Sequence, residues 1–73
     1  MVKVNKLRAK IVEHDMTVEQ VAKRMGVDRS TLYRKLKKSS GEAFTIGEVR
    51  KLSEILRLTP NEITDIFFSG DVA

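Results

Sequence analysis

Between Val21 and Lys38 the chain reads VAKRMGVDRSTLYRKLKK, which sets Arg29, Arg34, Lys35, Lys37 and Lys38 beside the hydroxyls of Ser30, Thr31 and Tyr33. Guanidinium and ammonium groups interleaved with hydroxyls donate hydrogen bonds and attract anions; they supply no nucleophile of their own. The remaining sequence adds no reactivity. There is no cysteine and His14 is the one histidine, so neither a nucleophile–histidine–acid set nor a thiolate or paired-histidine metal site can be assembled. No glycine-rich phosphate loop occurs, and so small a core offers no shielded pocket for paired carboxylates. The expectation is a binding protein: no enzyme, no cofactor, no metal and no evident small-molecule substrate. His14 reads as a residue at a helix end, with no second histidine or cysteine beside which to bind metal.

The charge is unevenly placed. Residues 1–38 carry eleven Lys or Arg against Glu13, Asp15, Glu19 and Asp28, a balance of +7. Residues 39–73 carry Arg50, Lys51 and Arg57 against six acidic residues, a balance of −3. Such asymmetry predicts one anion-seeking face. The absence of cysteine fits a reducing compartment, and neither a membrane-length apolar run nor a signal-peptide pattern is present, so a soluble, cytoplasmic protein with no membrane partner is expected. A chain of 73 residues, 41% of them hydrophobic, is expected to form one domain over residues 1–73.

Helices must position the basic residues, and their starts are written in the side chains that accept from first-turn amides. Thr17 with Gln20, Thr45 with Glu48 and Thr59 with Glu62 each have capping-box spacing. Met16 and Val21, Phe44 and Val49, and Leu58 and Ile63 flank those boxes at staple spacing. Pro60 takes the first helical position. Asp28 caps a further helix, with Val27 and Leu32 as its staple. The first helix is announced by Leu7, Ile11 and His14 along one face, with Asn5 as its candidate cap and an end near His14 or Asp15. Val18, Val21, Ala22 and Met25, then Val49, Leu52, Ile55 and Leu56, continue the helical period. No strand pattern competes; residues 39–43 read as loop. The fold class expected is all-α, with five short helices around one core.

Gly26 falls just past the second helix, where a left-handed cap turns the chain sharply. Only Val27 and Asp28 separate it from the third, so the two helices meet at a steep angle. On that third helix Leu32 and Leu36 face the core, while Ser30, Thr31, Arg34, Lys37 and Lys38 point away and Tyr33 lies at the edge.

With Val21 and Ala22 before the turn, Gly26 and Val27 in it, and DRSTLYR opening the next helix, the chain resembles the lambda-repressor-like helix-turn-helix domains that include phage Cro and repressor proteins. The resemblance covers most of the chain. Ala22 matches the small residue at the helix crossing. One departure stands out: family members commonly carry an apolar residue at the place of Lys35 and often a glutamate at the place of Leu36. Leu32 and Leu36 nevertheless form an apolar pair that can dock on Ile11. The resemblance implies a helix-turn-helix core at about residues 17–38, with the recognition helix, about residues 28–38, in the major groove of double-stranded DNA. Arg29, Ser30, Tyr33 and Arg34 are then the base contacts. Thr17, Gln20, Lys37, Lys38, Ser39, Ser40 and Thr45 are the backbone contacts. It further implies a repressor or Cro-like regulator of phage, prophage or mobile-element origin, acting on the nucleoid.

Other readings of the same residues remain open at this level. The run from Arg34 to Lys38 also suits a solvated helix end, Arg29 also suits an ion pair with Asp28 or Glu19, and Tyr33 also suits the rim of the core. At the C-terminus, Ile66, Phe67 and Phe68 are candidates for a homodimer interface that would space two recognition helices one DNA turn apart. Alternatively, Phe67 packs inward and Phe68 laps over a neighbouring helix. A different class of function on the same fold is a protein-interaction module that binds another regulator through this apolar helix.

Overall fold

All four helix starts read from side-chain caps are hydrogen-bonded caps in the computed structural model, which describes residues 2–37 and 44–68. The elements are α1 (Val4–Glu13), α2 (Val18–Met25), α3 (Arg29–Lys35), α4 (Ile46–Ile55) and α5 (Pro60–Ile63), which runs on into a π-helical segment, Thr64–Phe68. No strand occurs among the described residues. In each of the three boxes the Thr hydroxyl accepts from the backbone amide of the Gln or Glu three residues on, and that side chain accepts from the Thr amide. Two orphan donors are thereby satisfied at each start, for an increment of typically about 1 kcal/mol.

The first helix ends where expected, with His14 as its C-cap, but departs from expectation in its N-cap and in its buried face. Lys3, not Asn5, is its N-cap, and no side chain caps it. Its first turn is held instead from across the chain, because the Lys3 amide donates to the Ile66 carbonyl at 2.8 Å. At the other end His14 is exposed, so Val4, Leu7 and Ile11 make the buried face without it.

Three helices terminate in the same way, and only one of them uses glycine. Asp15 (φ 55°), Gly26 (φ 76°) and Arg57 (φ 51°) are all left-handed. After each, the next amide reaches back five residues: Met16 to Ile11 at 3.1 Å, Val27 to Ala22 at 3.0 Å and Leu58 to Ser53 at 3.0 Å. This arrangement satisfies terminal carbonyls and turns Met16, Val27 and Leu58 onto the core.

The core takes Leu7 and Ile11 from α1, Val21, Ala22 and Met25 from α2, Leu32 and Leu36 from α3 and its C-cap, and Leu52 and Leu56 from α4 and its C-cap. Ile66 and Phe67 close it. A π turn advances fewer degrees per residue than an α turn, so these two neighbours lie closer to one face than α periodicity allows. Both are buried, which withdraws them from the surface where the dimer interface was expected. Phe68 keeps 45% of its surface exposed, its ring tilted against Phe67 at 6.5 Å. Phe67 also meets Phe44 edge-on at 5.7 Å and 80°, a favoured aromatic geometry.

Candidate nucleic-acid interface

The α2–turn–α3 unit is fixed from behind as well as within. Ala22 is buried with Val21 and Met25 where α2 meets α3. From α4, Lys51 Nζ donates to the Met25 carbonyl at 3.0 Å, satisfying an acceptor at the end of α2. Gly26 then turns the chain, and Asp28, in extended conformation (φ −68°, ψ 140°), accepts from the Ser30 amide at 3.4 Å. The third helix enters with its inward side decided: Leu32 and Leu36 are each only 1% exposed.

That docking aims the opposite side at solvent. Arg29, Ser30, Tyr33, Arg34 and Lys37 are all exposed, while Thr31 and Lys35 are half-buried along the flanks. The four residues expected to read bases therefore share one open face with Lys37. Arg29 is not solitary: its Nη1 lies 3.3 Å from a carboxylate oxygen of Glu19, the exposed ion pair that was one of its two alternative readings.

Lys35, the residue that departs from the family pattern, turns sideways rather than outward. Its Nζ donates to Glu48 Oε1 at 2.7 Å and sits 5.7 Å from the centre of the Phe44 ring. Glu48 is at the same time the capping-box partner of Thr45. Burial pushes the Glu48 carboxyl up, but the Lys35 ammonium and the Thr45 amide outweigh it and hold the group below its ordinary value. Neither Lys35 nor Lys51 had been assigned a role in holding the recognition unit. In the sequence Lys35 shows only as a departure from the family pattern; Lys51 leaves no trace.

Of the expected backbone contacts, Thr17, Gln20 and Thr45 lie at two helix starts, and Lys37 follows the end of α3. At α2 the box uses the Thr17 oxygen and the Gln20 Oε1 as acceptors, which leaves the Thr17 O–H and the Gln20 amide NH2 as donors. The α4 box likewise leaves the Thr45 O–H. Both starts also carry first-turn amides without helical acceptors, a combination suited to a phosphate oxygen. Lys38, Ser39 and Ser40 lie outside the described residues.

The basic first half of the chain is partly neutralised in space. Lys3 is 2.9 Å from Asp65, Lys6 pairs with the same carboxylate, and Lys10 pairs with Glu62 and, at 3.4 Å, with Glu13. These contacts hold Asp65 below its ordinary value and Glu62 down at about 2: the Lys6 ammonium acts first on Asp65, the Lys10 ammonium on Glu62. Lys6 and Lys10 are raised in return. Lys3, Lys6 and Lys10 therefore tie α1 and its N-cap to the C-terminal helix, and their charge is offset there. Among the described residues no group of acidic, histidine or cysteine side chains is placed to hold a metal, and no helix is long and apolar enough to cross a membrane.

Helices packed in this way, with a glycine-capped turn presenting the outer face of the next helix, define a helix-turn-helix domain. A family model for the Cro/C1-type HTH DNA-binding domain matches residues 6–68, and the chain belongs to that family. Comparison with curated proteins and with solved structures returned no match.

Proposed function

We propose that the protein is a sequence-specific transcriptional regulator of the repressor or Cro-like kind, reading double-stranded DNA with α3 in the major groove and acting in the cytoplasm on the nucleoid. The observation that carries this reading is the exposure of Arg29, Ser30, Tyr33 and Arg34 on one face whose reverse is locked by Leu32 and Leu36. Guanidinium groups on such a face match the paired acceptors of guanine, and in this reading Thr17, Gln20, Lys37 and Thr45 contact phosphates and set register. Lys38, Ser39 and Ser40 extend that backbone set in the sequence reading. The protein-interaction alternative relied on Phe67 as well as Phe68, and burial of Phe67 leaves it a smaller surface.

Selection of bound duplexes from a random pool tests the proposal. A single enriched motif is expected, with affinity falling by a log–log salt slope of about −0.9 per phosphate contacted. No motif even at low salt overturns it.

A further inference from the structure

Arg29 is the first residue of α3, where the positive end of the helix dipole disfavours a cation; the Asp28 N-cap complements that dipole, and Arg29 opposes it. Helix stability therefore does not account for an arginine there. Its counter-charge comes from another helix: Glu19, in the first turn of α2, lies 3.3 Å from Nη1, with both side chains 65% exposed. An exposed pair of this kind contributes little to folding. What it does is limit where the guanidinium goes. With Nη1 tied to Glu19, the Nε–Nη2 edge keeps two parallel N–H donors, the pattern that pairs with guanine O6 and N7.

We propose that Glu19 is a specificity-positioning residue, holding Arg29 for a base edge and withholding it from the phosphates on either side. The inference rests on the DNA-reading function proposed above. A lone arginine at the rim of a groove binds any phosphate within its reach, so an untethered Arg29 adds affinity for every sequence. The Glu19 carboxylate opposes that in two ways: it occupies one guanidinium nitrogen, and it repels phosphate. Glu19 sits between Thr17 and Gln20, the proposed phosphate contacts at this helix start, and there a negative charge weakens sequence-independent attraction. Specific binding is affected less, because the base contact made by the free edge offsets the repulsion.

The test compares wild type, Glu19→Gln, Arg29→Ala and the double variant, each titrated against the selected site and against an unrelated duplex of the same length. Glu19→Gln is expected to tighten binding to the unrelated duplex by about three- to tenfold and to lower the ratio of specific to non-specific affinity by a similar factor. In the Arg29→Ala background the same substitution should leave that ratio unchanged. Melting temperatures of the free proteins should agree closely, which separates positioning from folding. Equal tightening on both duplexes would make Glu19 a simple repulsive charge and overturn the proposal; so would an unchanged ratio, or a loss of discrimination that persists without Arg29. If wild type selects no site, the DNA-reading function fails and this inference falls with it.

Discussion

Lys35 and Glu48 are joined at 2.7 Å, with side chains 12% and 16% exposed, and through them the end of the recognition helix is fastened to the capping box that starts α4. The pair resolves the departure of this chain from its family pattern: Leu36 takes the core position, and Lys35, on the flank, is neutralised by Glu48. Removing one partner strands the other in a largely dry setting. Lys35→Ala should cost about 1–3 kcal/mol, and Lys35→Met, which restores apolar contact with Phe44 but still leaves Glu48 unpaired, should cost less. Adding Glu48→Gln to Lys35→Met should recover stability, because the glutamine can still accept from the Thr45 amide. Denaturant unfolding of the four proteins measures this coupling.

Gly26 answers a purely conformational demand. A Cβ built on it meets no atom within 4 Å, yet its φ is +76°. Gly26→Ala should therefore cost about 1–2 kcal/mol through the backbone alone, and Gly26→Asn clearly less. At Arg57 the same geometry is borne by a branchless but full side chain, so Arg57→Gly should stabilise by about 0.5–1 kcal/mol. Thermal melts would register these as shifts of about 4–8 °C per kcal/mol in a domain of this size.

Acid should loosen the clamp between α1 and the C-terminal helix. Glu62 and Asp65 are lowered from ordinary values of 4.5 and 3.8, Glu62 to about 2. A carboxyl with a depressed folded pKa contributes stability above its unfolded pKa and loses it as pH falls through the folded one. The melting temperature should thus be insensitive to these groups above about pH 5 and should decline between about pH 4.5 and 2. Glu62→Gln and Asp65→Asn should each flatten that decline; an unaltered pH profile in both would show that the clamp carries no stability.

The parts of this molecule legible in its sequence are those governed by neighbours three or four residues apart. Thr17, Thr45 and Thr59 announce their helices because hydroxyl and carboxylate or amide lie within reach along the chain, and Leu32 with Leu36 fixes which face of α3 is outward. The left-handed ends at Asp15 and Arg57 are not legible, because no glycine marks them; Met16 and Leu58 packing on the core decides them instead. The π segment is likewise silent in the hydrophobic pattern. In the candidate site the exposed stripe could be read from periodicity. The side chains that restrain it could not: Lys51 reaches a carbonyl 26 residues earlier, and Lys35 finds its carboxylate 13 residues later.

The paired phenylalanines separate folding from assembly. Phe67 is 5% exposed and packs against Phe44, so Phe67→Ala should cost about 3–5 kcal/mol, enough to unfold a domain of this size at ordinary temperature. Phe68 is 45% exposed, and Phe68→Ser should change stability by no more than about 1 kcal/mol. If α5 and its π extension seat a second copy, Phe68 is the residue of the expected trio with surface to offer. One phenylalanine supplies at most about 150–250 Å² of the roughly 1,000 Å² a specific interface needs, so it would serve as an anchor within a wider contact. On a palindromic site, wild type should then bind as two cooperating copies and Phe68→Ser as two independent ones, with sedimentation giving the stoichiometry. A wild-type protein that stays monomeric at high concentration and occupies such a site singly would show that Phe68 does not mediate self-association.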